Sequence, residues 1–308
     1  MARKRRGQPI HGWLVLDKPV GVSSARAVTI ARRLFDAEKA GHGGTLDPLA
    51  SGILPIALGE ATKTVAWAMA ARKTYRFTVR WGEARETDDA EGAVTATSGH
   101  RPDGADILAA LPAFTGEVSQ RPPAYSALKV AGERAYDLAR SGEAVELEPR
   151  VVRVESLHLV ALTDADHAEF EAEVGKGTYI RALGRDLALK LGTFGHLSAL
   201  RRTRVGPFGE AEAISLDKLT SLGHSPPPFE HLLPVETALD DIPALALTEA
   251  EAARLRCGQA VLPLRPTDRA FMLELGNGQR IRATCGTKLV ALAEIVDGAL
   301  RPVRVLNH

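Results

Sequence analysis

The residues best placed to do chemistry lie in Gly41-His42-Gly43-Gly44-Thr45-Leu46-Asp47-Pro48-Leu49-Ala50-Ser51-Gly52. Three glycines occupy the six positions before one carboxylate. Glycine lets backbone approach a ligand closely or adopt φ > 0. Pro48 pushes Asp47 out of the α region toward extended geometry. A reactive carboxylate needs that kind of placement. The same Asp-Pro pair also fits a helix start, with Asp47 as N-cap and Pro48 at the first helical position.

Other candidates are spread along the chain. Lys18 follows the apolar run Gly12–Asp17 and precedes Pro19. A lysine ahead of a helix N-terminus can hold phosphate, although most such loops hold nothing. Tyr75 belongs to an alternation of Tyr75, Phe77, Val79 and Trp81 with Arg76, Thr78 and Arg80, which predicts a half-buried strand. A core aromatic with its hydroxyl satisfied is the commoner occupant of such a position. In Gln120-Arg121-Pro122-Pro123-Ala124-Tyr125-Ser126-Ala127-Leu128-Lys129, cations flank an aromatic on a proline-stiffened loop. Charge and stacking of that kind suit RNA, and an ordinary surface loop is the alternative. Phe170, Ala172 and Val174 alternate with glutamates and run into Gly175-Lys176-Gly177-Thr178-Tyr179-Ile180-Arg181. A continued strand places Tyr179 and Arg181 on one face, and the glycines can break that register. Arg201-Arg202-Thr203-Arg204 adds a basic stretch. Thr87-Asp88-Asp89-Ala90-Glu91-Gly92 is acidic but lacks the ligand alternation of a calcium loop, so it reads as a polar turn.

These residues need a framework to position them. The chain has 308 residues, 45% hydrophobic, enough for one large unit plus a small one, or two of medium size. Helices are expected after Ser23 or Ser24, over 61–71, around Ile107–Leu111, over 133–141 and through Leu183, Leu187 and Leu191. Ser225-Pro226-Pro227-Pro228 marks a stiff surface segment. Beyond Pro243 the pattern turns β-rich. A Thr248/Glu251 capping box opens a short helix ending at Gly258, and turns are expected at Asn277-Gly278 and Asp297-Gly298.

The 39 Lys+Arg balance 38 Asp+Glu. That neither announces nor excludes a nucleic-acid partner, because distribution matters more than the sum. Cys257 and Cys285 lie in no metal-ligand spacing and argue against a disulfide scaffold. No stretch approaches the ~20 apolar residues of a membrane span. The basic run Arg3–Arg6 is followed by no signal-like apolar segment. A cytoplasmic protein is expected.

Taken together, Leu16-Asp17-Lys18-Pro19, the 41–52 stretch, Tyr125-Ser126-Ala127-Leu128-Lys129 and Lys176–Arg181 resemble the bacterial tRNA pseudouridine-55 synthases of the TruB type. The motifs run in order from about residue 10 to 210. Many members carry threonine after the histidine where Gly43 stands here. The resemblance implies an α+β fold, with a long, curved, mainly antiparallel sheet and the Asp47 loop at a central cleft. It implies a catalytic unit over 1–240, an RNA-gripping insertion at about 120–150, and a small PUA-like unit over 243–308. The implied reaction turns one T-loop uridine of tRNA into pseudouridine, with no cofactor, metal, membrane or obligatory protein partner. Asp47 would be the catalytic carboxylate. Tyr75, Tyr179, Arg181 and Leu200 would form the substrate pocket, with Tyr75 stacking on uracil and Arg181 keeping Asp47 ionised. His42, Lys18, Asp89, Arg121, Lys129, Lys176 and Arg202 would contact RNA. A basic face with an acidic back is expected, since acids concentrate in 86–91, 143–148, 164–173 and 236–251.

Three other readings use the same residues. A non-catalytic RNA binder would not need Asp47, Tyr75 and Arg181 together. A glycosidase-like hydrolase normally needs paired carboxylates, and no convincing partner for Asp47 is evident. A guide-RNA-dependent relative would carry accessory surfaces that are not evident either.

Overall fold

The structure, a computed structural model, describes residues 7–126, 128–130, 132–135, 138, 141, 147–222 and 229–307. The apolar run near the N-terminus forms β1 (Gly12–Lys18), and Ser23 caps α1 (Ser24–Leu34) by accepting from Arg26 N–H. β2 (Ala40–His42) leads into the Asp47 loop, which returns as β3 (Ser51–Leu58). A 3-10 turn over Gly59–Thr64 precedes α2 (Val65–Ala70). Then come β4 (Lys73–Trp81), β5 (Glu83–Arg85), β6 (Val94–Thr97), α3 (Gly104–Ala110) and β7 (Gly116–Gln120). A small hairpin joins β8 (Lys129–Val130) to β9 (Glu133–Arg134). The long strands β10 (Arg150–Leu162) and β11 (His167–Val174) are followed by α4 (Ile180–Lys190) and β12 (Gly195–Val205). β13 (Ile214–Ser215), α5 (Leu216–Ser221) and β14 (Leu232–Leu233) complete this part. The remainder holds β15 (Ala244–Ala246), α6 (Glu249–Arg256), α7 (Pro266–Leu275), β16 (Arg280–Cys285), β17 (Lys288–Val296) and β18 (Ala299–Val305).

Among the described residues the main sheet has ten strands, in the order β13-β1-β3-β12-β4-β11-β10-β7, with β14 on β1 and β2 on β3. The β1–β13 and β3–β12 pairs are parallel, and the others are antiparallel. The expected α+β architecture is present. One sheet face packs Leu14, Leu54, Phe77 and Phe170 against α1 and α4. The other packs Trp13, Val15, Ile53 and Phe208 against Leu289, Leu292 and Leu306 of the C-terminal part. Strands β1 and β3 thus bury both faces, which explains their unbroken apolar character. The smaller sheet, β15-β16-β17-β18, has its own core with α6 and α7. The Thr248/Glu251 capping box and the two-residue Asp297-Gly298 hairpin turn form as expected.

Several local expectations differ from the structure. The 61–71 region is a 3-10 turn and a short helix, not one helix. Glu133 and Arg134 pair as a strand, so no helix begins at Glu133; part of 136–146 lies outside the described residues. Arg3–Arg6 and Ser225–Pro228 also lie outside them. The glutamates of β11 do not form a bare acidic patch, because Arg76 meets Glu171 at 3.1 Å and Arg72 meets Glu173 at 3.9 Å. No helix among the described residues is long and apolar enough to cross a membrane.

Candidate active site

Asp47 does not cap a helix. Its carbonyl accepts from Ala50 N–H at 3.1 Å, closing a turn with Pro48 at its second position, and the chain goes straight into β3. Proline's fixed φ suits that position. The loop before it is held by its main-chain atoms. Ser24, the first residue of α1, accepts from Leu46 N–H at 2.9 Å and donates to Leu46 O at 2.8 Å. Lys18 Nζ at the end of β1 donates to Pro48 O at 3.4 Å, and Gly21 N–H donates to the same oxygen at 2.7 Å. Arg202 reaches in from β12, its Nη2 donating to Gly44 O at 3.0 Å and its Nη1 to Thr45 O at 3.1 Å, while its Nε bonds Ile53 O at 2.7 Å.

Two glycines make this possible. Gly44 has φ +131°, which L side chains rarely adopt. Gly52, at φ +102°, lies opposite Arg202 in the β3–β12 pair, and a Cβ there would stand 2.2 Å from Arg202 O. Backbone approach at this crossing requires glycine.

Arg181 stands one residue inside the start of α4 and is 5% exposed. Its Nη2 meets Asp47 Oδ2 at 3.0 Å, and its Nη1 meets Asp89 Oδ2 at 3.4 Å. The same two nitrogens also donate to Tyr125 O and Thr87 O, both at 2.8 Å. A buried guanidinium is stable only when paired and fully hydrogen-bonded, and these four partners meet that need. One turn along α4, Arg185 repeats the pattern. It meets Asp88 at 2.7 Å and donates to Arg121 O, also at 2.7 Å. The 87–89 turn, expected to be a polar connection, is thus docked onto α4. Burial pushes the Asp88 carboxyl up to about 6 despite Arg185 beside it.

Tyr75 sits inward on β4, next to Arg202 across the β4–β12 pair, and Leu200 lies two residues back on β12. Both are buried at the edge of the core that faces α4. Tyr179 is the N-cap residue of α4, and burial raises its hydroxyl above the usual range. Burial and the nearby Arg202 lower His42, whose Nδ1 has no hydrogen-bond partner among the described residues. Burial brings Lys18 down to about 8, against the attraction of Asp47.

The expected surface contacts divide. Arg121 and Lys176 are exposed. The side chain of Lys129 lies outside the described features. Lys18, Asp89 and Arg202 are each 1% exposed or less and engaged internally. Asp89 accepts from Thr87 Oγ1 and from Glu91 N–H. Arg201 is matched by Asp17 at 2.9 Å and Glu210 at 2.6 Å, so the 201–204 stretch is not a free basic patch.

Two family models match residues 32–240 in succession. The TruB family pseudouridylate synthase N-terminal domain matches residues 32–180, and the tRNA pseudouridylate synthase B C-terminal domain matches 181–240. The chain is 55% identical to the tRNA pseudouridine synthase B of Rhodospirillum rubrum, over all of both chains. This chain belongs to the TruB family. The enzyme of the same name from Bradyrhizobium diazoefficiens is 58% identical, over 99% of this chain and 88% of its own. Among solved structures, a Cbf5-Nop10-Gar1 complex matches with a TM-score of 0.72 and 27% identity, over 96% of this chain and 84% of that one. An archaeal Nop10-Cbf5 complex, at 24% identity and a TM-score of 0.72, shares the fold.

Of the candidate residues, the structure brings Asp47 and Arg181 into contact and sets Tyr75 beside Arg202, the anchor of the Asp47 loop. The sequence offers Ser24 only as a helix start and Gln120 only as the head of a stiff loop, and shows neither their anchoring contacts nor the inward direction of Arg202. Only Gln120 left a signal: it ends an alternating strand on the same face as Val118, where a polar side chain must find partners.

Proposed function

We propose that this protein converts the T-loop uridine at position 55 of tRNA to pseudouridine, with Asp47 as the catalytic carboxylate. The observation that carries this reading is the Asp47–Arg181 pair, 3.0 Å apart on a loop fixed through its backbone. Full-length likeness to tRNA pseudouridine synthases supports the substrate. In the reaction N1–C1′ breaks and C5–C1′ forms. The proton leaves C5 and N1 ends protonated, so atoms balance without a co-reactant. Asp47 supplies the anion that attacks or stabilises the electron-poor centre. Arg181 holds it ionised and aimed. Tyr75 stacks on the extruded uracil, and Tyr179 and Leu200 complete the pocket.

The RNA is held by exposed cations such as Arg121 and Lys176, and by His42 beside the extruded nucleotide. The 120–150 insertion grips the T-loop, and the 243–308 unit serves as a PUA-like module for the rest of the tRNA. A hydrolase would need a second reachable carboxylate. Asp89, the acid nearest in this network, is sealed from solvent and bonded to its own turn.

The test is single-turnover pseudouridine formation on an unmodified T-stem-loop transcript, with purified chain in excess chelator. Wild type converts the RNA. Asp47→Asn binds it within about threefold yet loses more than about tenfold in rate, over ~1.4 kcal/mol of transition-state stabilisation. Bound but unconverted RNA with wild type overturns the reading. An Asp47→Asn rate above a tenth of wild type removes Asp47 from the chemistry.

A further inference from the structure

Arg181 is aimed by the first turn of α4, yet that turn has weak local reasons to stay in place. Tyr179, the N-cap residue, makes no side-chain cap, and no acid stands in the first turn. What holds it comes from 59 residues upstream of Tyr179. Gln120, at the end of β7, is 2% exposed. Its Nε2 donates to Tyr179 O at 3.1 Å, and its Oε1 accepts from Tyr179 N–H at 2.8 Å. One amide therefore holds both ends of one residue, fixing the direction in which the chain enters the helix. Tyr179 O also accepts from Leu183 N–H at 3.0 Å, so the clasp shares an acceptor with the helix's own first bond. The chain leaving Gln120 then follows α4: Arg121 O meets Arg185, and Tyr125 O meets Arg181.

We propose that Gln120 is a positioning residue for the Asp47–Arg181 pair, acting by clamping the Tyr179 peptide at the entrance to α4. It touches no substrate. Loss of the clamp lets the helix start and the 121–125 segment shift against each other, and Arg181, bonded to both, loses its alignment on Asp47. A displacement of about 1 Å at a catalytic ion pair lowers rate far more than affinity. An amide is required, because a carboxylate cannot donate to Tyr179 O, and a thioether cannot donate and accepts only weakly.

The inference rests on the proposed roles of Asp47 and Arg181, and the experiment separates the two. Gln120→Met keeps the length of the side chain and removes both bonds; Gln120→Glu keeps only the acceptor. In single-turnover assays with saturating T-stem-loop RNA, Gln120→Met falls at least about tenfold in rate, with RNA affinity within about threefold. In an Arg181→Met background the same change adds less than about twofold, because the path through Arg181 is already cut. Hydrogen exchange at the Tyr179 amide, which needs no substrate, speeds up in Gln120→Met, which loses the acceptor, and stays close to wild type in Gln120→Glu, which keeps it. A Gln120→Met rate within threefold of wild type overturns the proposal. So does a loss that multiplies fully with Arg181→Met, which marks a structural role alone, and so does unchanged exchange at Tyr179 in Gln120→Met. If wild type itself converts no RNA, the functional reading fails, and the exchange result still decides the clamp.

Discussion

Lys18 and Arg202 carry positive charge into the interior beside one loop, and each makes its bonds to main-chain oxygen. Charge there is costly unless hydrogen-bonded, and the carbonyls of the Asp47 loop supply that bonding. The same contacts that satisfy the cations therefore fix the loop. Lys18 still holds its proton less tightly than usual, to about pH 8 against 10.5 for a solvated lysine. Between those values the unfolded chain binds the additional proton, so the Lys18 contribution makes stability rise with pH. Lys73, also brought to about 8 by burial, acts in the same direction. Thermal melts from pH 7.5 to 10 should move steadily in favour of wild type relative to Lys18→Met, which has no proton to lose. A difference that is flat across this window would contradict the assignment.

At the scale of elements, the β3–β12 crossing decides whether Arg202 reaches the loop. Gly52→Ala places a methyl group against Arg202 O at a backbone conformation alanine rarely adopts. It should cost at least about 2 kcal/mol in chemical denaturation and lower the single-turnover rate as well. A stable variant with full activity would show that the crossing tolerates displacement. The crossing also marks where sequence reading stopped. Asp47, Tyr75 and Arg181 were legible because their types match the chemistry and because separate motifs point to one family. The anchors were not, since Arg202 acts on carbonyls as far as 158 residues away, and only sheet pairing brings these together. Read as a string, Arg201–Arg204 is a basic patch; in the strand, Arg201 faces its acids and Arg202 faces inward. The strand β10 gave no clear pattern. Val151, Val160 and Leu162 point to solvent, and two bulges interrupt its alternation. The helix-cap reading of Asp47 failed for a related reason. Asp-Pro starts a turn or a helix equally well, and the following Gly52-Ile53-Leu54 run pairs with β1 and β12 instead.

For the whole molecule, the C-terminal part is not an appendage. Leu292 and Leu289 of β17 and the nearby Leu306 are fully buried with Trp13, Val15, Ile53 and Phe208 on the back of the main sheet. Deleting residues from 243 onward would strip that face, so truncation cannot separate RNA binding from folding. Point substitution in the intact chain is the sounder probe. Leu292→Ala should cost about 2–5 kcal/mol and leave one cooperative unfolding transition, monitored by both far-UV signal and tryptophan fluorescence. Two resolved transitions would mean that the parts unfold independently. The buried cations have a further consequence at this scale. Lys18, Lys73, Arg181 and Arg202 lie beneath the site, and Asp47 and Asp89 offset only part of their charge. Groups that are covered release no counterions when a polyanion arrives, yet their field is less screened than that of surface lysines. The attraction this floor exerts on an approaching phosphate backbone is therefore of a kind that added electrolyte weakens only slowly, in a protein whose formal net charge is +1.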